Sequence, residues 1–215
     1  MQHPSDHPEI EALWRGLGHA GSVAIASAQP GEGTSLIAEA IWRRAEHSGR
    51  SALLVKLNGG APAAEPGQVQ RLGNHPLGVL AAPDAAQIAA WREPARLREA
   101  IATWRKDWDL VVIDAAPVLA RGTQVLPGLT AAAAAEATLL VVLAGRTAAS
   151  ALREARDRLK VAGAVLAGVA LNDRENPSLA MELERQASRF ARFLPGFAAR
   201  ITRAVRGSAL LGLRV

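Results

Sequence analysis

Apolar residues in this chain follow two rhythms. Short unbroken runs such as Val23-Ala24-Ile25-Ala26, Leu53-Leu54-Val55 and Leu110-Val111-Val112-Ile113 have the character of strands buried on both faces. Longer stretches between them space their apolar residues three and four apart, the period of an amphipathic helix. Strands are expected over residues 23–27, 52–56, 77–80, 110–113, 137–143 and 165–171. Helices are expected over 9–17, 35–48, 93–106, 147–162 and 177–193, and the glycine- and proline-rich piece 57–70 reads as a loop. Strand and helix alternate, so the expected class is α/β: a mostly parallel sheet with helices on both faces.

Composition adds limits to this picture. The 215 residues are 49% hydrophobic and 21% charged, ordinary for a chain that buries a core. Cysteine is absent, which removes disulfides and thiol chemistry. The five histidines are scattered without metal-ligand spacing. The opening residues have neither a basic nor an apolar signal region. The apolar stretch 125–145 contains Pro127, Gly128 and Glu136, which fits a buried segment and not a membrane span. On these grounds a cytoplasmic protein is expected.

The net charge of +5 is unevenly placed. From Arg185 onward there are seven arginines and no acid, so this part carries +7 and the rest −2. The chain divides on this basis into an N-terminal helical segment (1–20), an α/β domain (21–184) and a basic tail (185–215). All three phenylalanines, Phe190, Phe193 and Phe197, lie among the tail arginines. Such a segment suits an anionic membrane surface or a partner's juxtamembrane region, or equally a final helix packed on its own domain with snorkelling arginines; no recognition motif supports nucleic acid.

The candidate chemistry begins after the first strand, at Ala28-Gln29-Pro30-Gly31-Glu32-Gly33-Thr34-Ser35. A strand, a glycine-bearing turn and then a helix is the setting of a phosphate loop. Glycines let backbone N–H groups converge on phosphate, and the helix N-terminus adds positive potential.

Ser27-Ala28-Gln29-Pro30-Gly31-Glu32-Gly33 resembles the loop of the bacterial tyrosine kinases of capsule and exopolysaccharide synthesis, whose form is Ser-Ala-x-Pro-Gly-Glu-Gly. Asp109-Leu110-Val111-Val112-Ile113-Asp114-Ala115-Ala116-Pro117-Val118-Leu119 resembles their Walker B segment. Gly145-Arg146-Thr147 and Gly168-Val169-Ala170-Leu171-Asn172-Asp173 match in order and spacing, so the resemblance runs from about Glu9 to Asn172. It implies a deviant-Walker P-loop NTPase fold, related to the MinD/ParA-like ATPases. Implied phosphate contacts are Pro30, Gly31, Glu32, Gly33, Thr34 and Ser35; Asn172 and Asp173 are implied for the base. The implied cofactors are ATP or ADP, with Mg²⁺ on Ser35 and Asp114.

The departures from the family pattern concern charge. The family places lysine after the last loop glycine, where this chain has Thr34. A cation at that position is worth about 4 kcal/mol to a phosphate 4 Å away at an effective dielectric near 20. The family ends its second strand with Asp-x-Asp; here Lys56-Leu57-Asn58 stands in that place. Of the acidic set Asp114 remains, and Lys56 is expected beside it at the end of the neighbouring strand; its ammonium is open to pairing with Asp114, to reaching a bound phosphate, or to pointing into solvent. Asp114 and Lys56 are the candidate catalytic groups. The chain has no tyrosine, so it cannot phosphorylate itself there as the family does. The family's ring-forming helix carries Glu-x-x-Arg-x-x-Arg, whereas this chain has Glu11, Trp14 and Leu17 in that register.

Taken together, the expected function is a non-catalytic or weakly nucleotide-binding regulator or scaffold of exopolysaccharide synthesis and export. By resemblance its partner is an inner-membrane co-polymerase or chain-length protein, which places it peripherally at the inner membrane, and an oligomer is open. The rival readings are an active ATPase or kinase acting on another protein, and a membrane-positioning ATPase.

Overall fold

The computed structural model describes residues 8–58, 68–80, 83–120 and 126–173. Seven strands form one sheet: β1 (Ser22–Ser27), β2 (Ala52–Lys56), β3 (Val69–Arg71), β4 (Leu77–Leu80), β5 (Leu110–Asp114), β6 (Ala137–Leu143) and β7 (Leu166–Asn172). Six helices accompany them: α1 (Pro8–Leu17), α2 (Thr34–His47), α3 (Ala85–Trp91), α4 (Pro94–Trp104), α5 (Gly128–Ala134) and α6 (Ala149–Val161). The order across the sheet is β3-β4-β2-β5-β1-β6-β7. β1 pairs in parallel with β5 and β6, and β2 with β4 and β5. The short edge strand β3 runs antiparallel to β4.

This order fixes which face each helix covers. The chain travels one way along the sheet from β1 through α2 to β2. It travels the other way from β4 to β5, from β5 to β6 and from β6 to β7. Right-handed crossovers in opposite directions must lie on opposite faces. Accordingly α1 and α2 pack with Val23, Ile25, Leu54, Leu110 and Val112 on one face. On the other, α4, α5 and α6 pack with Ala24, Ala26, Leu53, Val55, Val111 and Ile113. Strand alternation is clean, because a period of two sends successive side chains to opposite faces.

The helical stripes are equally clear. In α2, Ala38, Ile41, Trp42 and Ala45 are buried, the i, i+3, i+4, i+7 face of one helix. The Trp42 indole N–H donates to the Ala52 carbonyl at 3.0 Å, which satisfies the one polar atom of a buried ring. Leu97 with Ile101, and Ala155 with Leu159, anchor α4 and α6 in the same way.

Three elements were not anticipated. β3 falls at the end of the stretch read as loop and is exposed throughout. α3 is short and opens with a capping box, in which Asp84 accepts from the Gln87 N–H and Gln87 reaches back to the Asp84 N–H. α5 is built largely of alanine, which carries too little contrast for a period to show. β7 corrects a further expectation. It is not covered on both faces: Leu166, Val169 and Leu171 are exposed, and Ala170 alone among its residues is buried. The expected helix 177–193 and the tail 185–215 lie outside the described residues.

The chain resolves into two compact units. The first holds nearly all of the sheet and helices, and the second comprises Leu143–Arg146 and the residues from Asn172 onward. Among the described residues no helix is long and apolar enough to cross a membrane.

Gly128 opens α5 beneath the strand end that follows β5. A Cβ there would overlap the Ala116 carbonyl oxygen, which is backbone and cannot swing aside. Gly128→Ala is therefore expected to destabilise the domain by about 2 kcal/mol or more. At this chain length that lowers the melting temperature by roughly 5 °C, measurable by calorimetry. An unchanged melting temperature would contradict this packing.

Candidate nucleotide site

The phosphate loop leaves β1 at Ser27 and enters α2 at Thr34. Gly31 and Gly33 take φ of 83° and 94°, left-handed values that a side chain resists. Gly33 is also the N-cap of α2, so the turn aims the first backbone N–H groups of the helix at the loop's mouth. The Ser27 hydroxyl donates to the Gln29 carbonyl at 2.8 Å.

Glu32 lies inside the loop and not at its mouth. It is only 3% exposed. One carboxylate oxygen accepts from the Gln29 N–H at 3.0 Å, and the other accepts from the Thr147 hydroxyl. A buried carboxylate with both oxygens bonded braces the turn and ties it to Thr147, just ahead of α6. The Glu32 side chain therefore faces the loop's own interior, and a phosphate contact at this residue would fall to its backbone N–H. Pro30 and Gly31 are exposed at the tip.

Thr34 holds the position where the family pattern has lysine. Its side chain is buried, and its hydroxyl accepts from the Asn58 amide at 2.9 Å. Two departures noted separately in the sequence thus meet: threonine for lysine, and asparagine for the second aspartate of β2. A neutral hydrogen bond joins the loop to the end of β2. Ser35, one residue on, is exposed.

Asp114 closes β5 with Ile25 of β1 on one side and Lys56 of β2 on the other, in parallel register. It shares the sheet face of Leu110 and Val112, the face of α2. By the same alternation Lys56 shares the face of Ala52 and Leu54. Both side chains therefore start from the face where α2 begins. The chain beyond Asp114 runs along the loop: Ala115 N–H donates to Ile25, Val118 to Ser27 and Leu119 to Ala28. Leu57 N–H donates to the Asp114 carbonyl at 2.9 Å.

The Asp114 carboxylate is 4% exposed and its Oδ1 has no hydrogen-bond partner. Burial raises its pKa above the ordinary 3.8. The Ser35 hydroxyl, the Asn58 amide and the Lys56 charge oppose that shift without reversing it. Lys56 is exposed and forms no ion pair with Asp114 among the described residues. The expected neighbourhood of the two is present, and of the placements left open for Lys56 the structure shows the solvent-facing one.

A nucleotide with Mg²⁺ can be set against these residues. The left-handed glycines and the helix start supply a backbone cradle for phosphate. The unpartnered Oδ1 of Asp114 and the Ser35 hydroxyl are hard oxygen donors, and Mg²⁺ is commonly held by one or two such groups with phosphate and water completing its shell. These oxygens taken alone suit Mg²⁺, but the Lys56 ammonium carried in register beside Asp114 sets a like charge against a divalent ion there. What the loop lacks is a cation of its own.

Asn172 ends β7 and belongs to the second unit, where its carbonyl accepts from the Ala144 N–H at 2.8 Å. Asp173 follows it in that unit. The α1 residues in the ring-helix register are engaged within the chain. Glu11 accepts from Arg44 at 2.7 Å and from Arg15 at 3.3 Å. The Arg44 and Arg50 guanidinium groups lie 5.4 and 5.6 Å from the Trp14 ring centroid, within cation–π range.

Two predictions follow from this geometry. Glu32→Ala removes the acceptor of the Gln29 N–H and unties the loop from Thr147, at a cost of about 1–3 kcal/mol; faster amide exchange over residues 29–35 and a lower melting temperature are expected, and unaltered exchange would contradict the brace. Asp114 binds its proton more readily folded than unfolded, so its contribution to stability is greatest below about pH 4 and is lost as pH rises through the raised pKa. Asp114→Asn should therefore gain melting temperature relative to the parent as pH increases from acid to neutral. A difference independent of pH would show that burial does not dominate.

Comparison with known proteins places this architecture. No family model matches the chain, and no curated protein sequence matches it. Solved structures do. The kinase domain of the Escherichia coli tyrosine kinase ETK superposes with a TM-score of 0.64 at 19% identity, covering 76% of this chain and 73% of its own. The VpsO kinase domain gives 0.66 at 20% identity, covering 79% and 93%. Cobyrinic acid a,c-diamide synthase from Mycobacterium smegmatis, solved with bound ADP and magnesium, gives 0.51 at 21% identity, covering 69% and 71%. The chain thus has the mostly parallel α/β fold of these tyrosine kinase domains and of cobyrinic acid a,c-diamide synthase.

Proposed function

We propose that this protein is a nucleotide-binding regulator or scaffold of bacterial exopolysaccharide synthesis and export that does not turn its nucleotide over efficiently. The observation that carries the reading is the Thr34–Asn58 hydrogen bond. The backbone cradle around Gly31 and Gly33 is kept, while the side chain that would bring a cation into it is replaced by a buried hydroxyl held by an amide. Phosphoryl transfer depends on positioned cations more than on covalent chemistry by the protein. Binding should therefore survive where turnover does not. The absence of tyrosine adds that this chain cannot act as its own tyrosine substrate.

The pathway assignment rests on the loop and Walker B resemblance and on the shared fold. The partner proposed is the inner-membrane co-polymerase or chain-length protein. The basic tail 185–215 is the segment proposed to meet that partner or an anionic membrane surface. A second reading, an ATPase acting on another protein, is favoured by one observation: Lys56 stands beside Asp114 on the α2 face and offers a cation from outside the loop.

The test is nucleotide affinity set against turnover. At a hundredfold excess over Kd, ADP or ATP should stabilise the fold by about 2.7 kcal/mol, a rise of roughly 5–10 °C in melting temperature. Hydrolysis should stay at background in the same preparation. Brisk hydrolysis abolished by Lys56→Ala would replace the scaffold reading with the ATPase reading. No shift with either nucleotide would remove both.

A further inference from the structure

Three observations converge on Lys56. Its Cα is the register partner of the Asp114 Cα on the neighbouring parallel strand, and such strands lie about 4.8 Å apart. Its side chain is exposed and makes no ion pair or hydrogen bond among the described residues. Beside it, Asp114 is a buried carboxylate whose Oδ1 is without a partner. A buried anionic oxygen with an open acceptor position calls for a cation.

The backbone that carries Lys56 is held against the loop on both sides of the sheet edge. Leu57 N–H binds the Asp114 carbonyl, and the Asn58 amide binds the Thr34 hydroxyl. Lys56 therefore cannot drift from the site, whereas its four-carbon stem swings freely with three donors at its tip. The ammonium can turn toward Oδ1 and toward a phosphate seated on the Gly31–Gly33 cradle. A divalent ion on Asp114 would have to sit next to this ammonium, and the two like charges repel.

We propose that Lys56 is the resident cation of the nucleotide site, taking beside Asp114 the place of a divalent ion, so that a nucleoside diphosphate is held without Mg²⁺. The inference rests on the nucleotide-binding reading above and specifies its ligand and its cation. One monovalent cation suits the smaller charge of a diphosphate better than that of a triphosphate. Asp114 orients the ammonium, the loop N–H groups take one phosphate, and Lys56 bridges the other to Asp114.

The test is an ADP titration of the full chain by calorimetry, in excess EDTA and in saturating MgCl₂, for the parent, Lys56→Gln and Lys56→Asp. The parent should bind ADP within about twofold equally in the two buffers. Lys56→Gln should lose about tenfold or more in EDTA, the loss of one charge-assisted hydrogen bond, and recover part of it in MgCl₂. Lys56→Asp, which brings a second carboxylate beside Asp114, should bind ADP only with Mg²⁺. Parent affinity that rises more than tenfold with Mg²⁺, or a Lys56→Gln affinity equal to the parent's in EDTA, would overturn the proposal while leaving nucleotide binding intact. Absence of ADP binding by every form in both buffers would overturn the nucleotide reading and this inference with it. Lys56 is exposed, so the variants are expected to fold, and melting curves without ligand check that they do.

Discussion

A carboxylate set between two parallel strands and almost wholly buried is an expensive thing for a fold to keep. Desolvation works against the charged form of Asp114, and the partial answers around it, the Ser35 hydroxyl, the Asn58 amide and the Lys56 charge, do not cancel that cost. The rest of the site is arranged about this anion. β1 on one side brings the phosphate loop, and β2 on the other brings Lys56 and Asn58. The α2 N-terminus begins on the same face. An anion at this point organises whatever cation the site uses, whether metal or ammonium.

Around it, polar contacts have been redistributed without being lost. Glu32 gives both its oxygens to the loop's own architecture, and Thr34 is held by Asn58 where a charged pair would be expected from the family pattern. The departures at Thr34 and Asn58 leave a neutral hydrogen bond where the family pattern has two charges. A loop changed in this way keeps its shape, because shape comes from left-handed glycines and backbone bonds to residues 115–119. It does not keep its electrostatics, because those came from side chains. Phosphoryl transfer depends on positioned cations, and the loop itself supplies none.

The first helix shows the same preference for internal satisfaction. Arg44 draws Glu11 onto α2, while Arg44 and Arg50 flank Trp14. The pull of Arg44 and Arg15 holds the Glu11 carboxyl below its ordinary range despite some loss of solvation. Groups that the family pattern would turn toward a neighbouring subunit are here used to dock α1 on its own domain, with Ile10 and Leu17 buried in the core beneath.

How much of this could be read beforehand follows from the range of the forces involved. Buried parallel strands announce themselves as unbroken apolar runs, so β1, β2, β4, β5 and β6 were legible to within about a residue. The long helices were legible from their stripes. A phosphate loop is a local object, a few backbone angles set by glycine, and its sequence suffices to place it. α5 escaped because alanine has no contrast, and β3 because an exposed three-residue edge strand has no pattern; α3 did carry a signal, in the spacing of Asp84 and Gln87. Residue identity also showed which charges had been exchanged. What only the tertiary structure decided was how remote residues meet: Glu32 turned inward onto Thr147, 115 positions away, Asn58 reaching Thr34 across 24, and Lys56 in register with Asp114 without an ion pair between them. Those outcomes depend on strand order and crossover hand, which bring together residues remote in the chain, and no local pattern of residues encodes such distances.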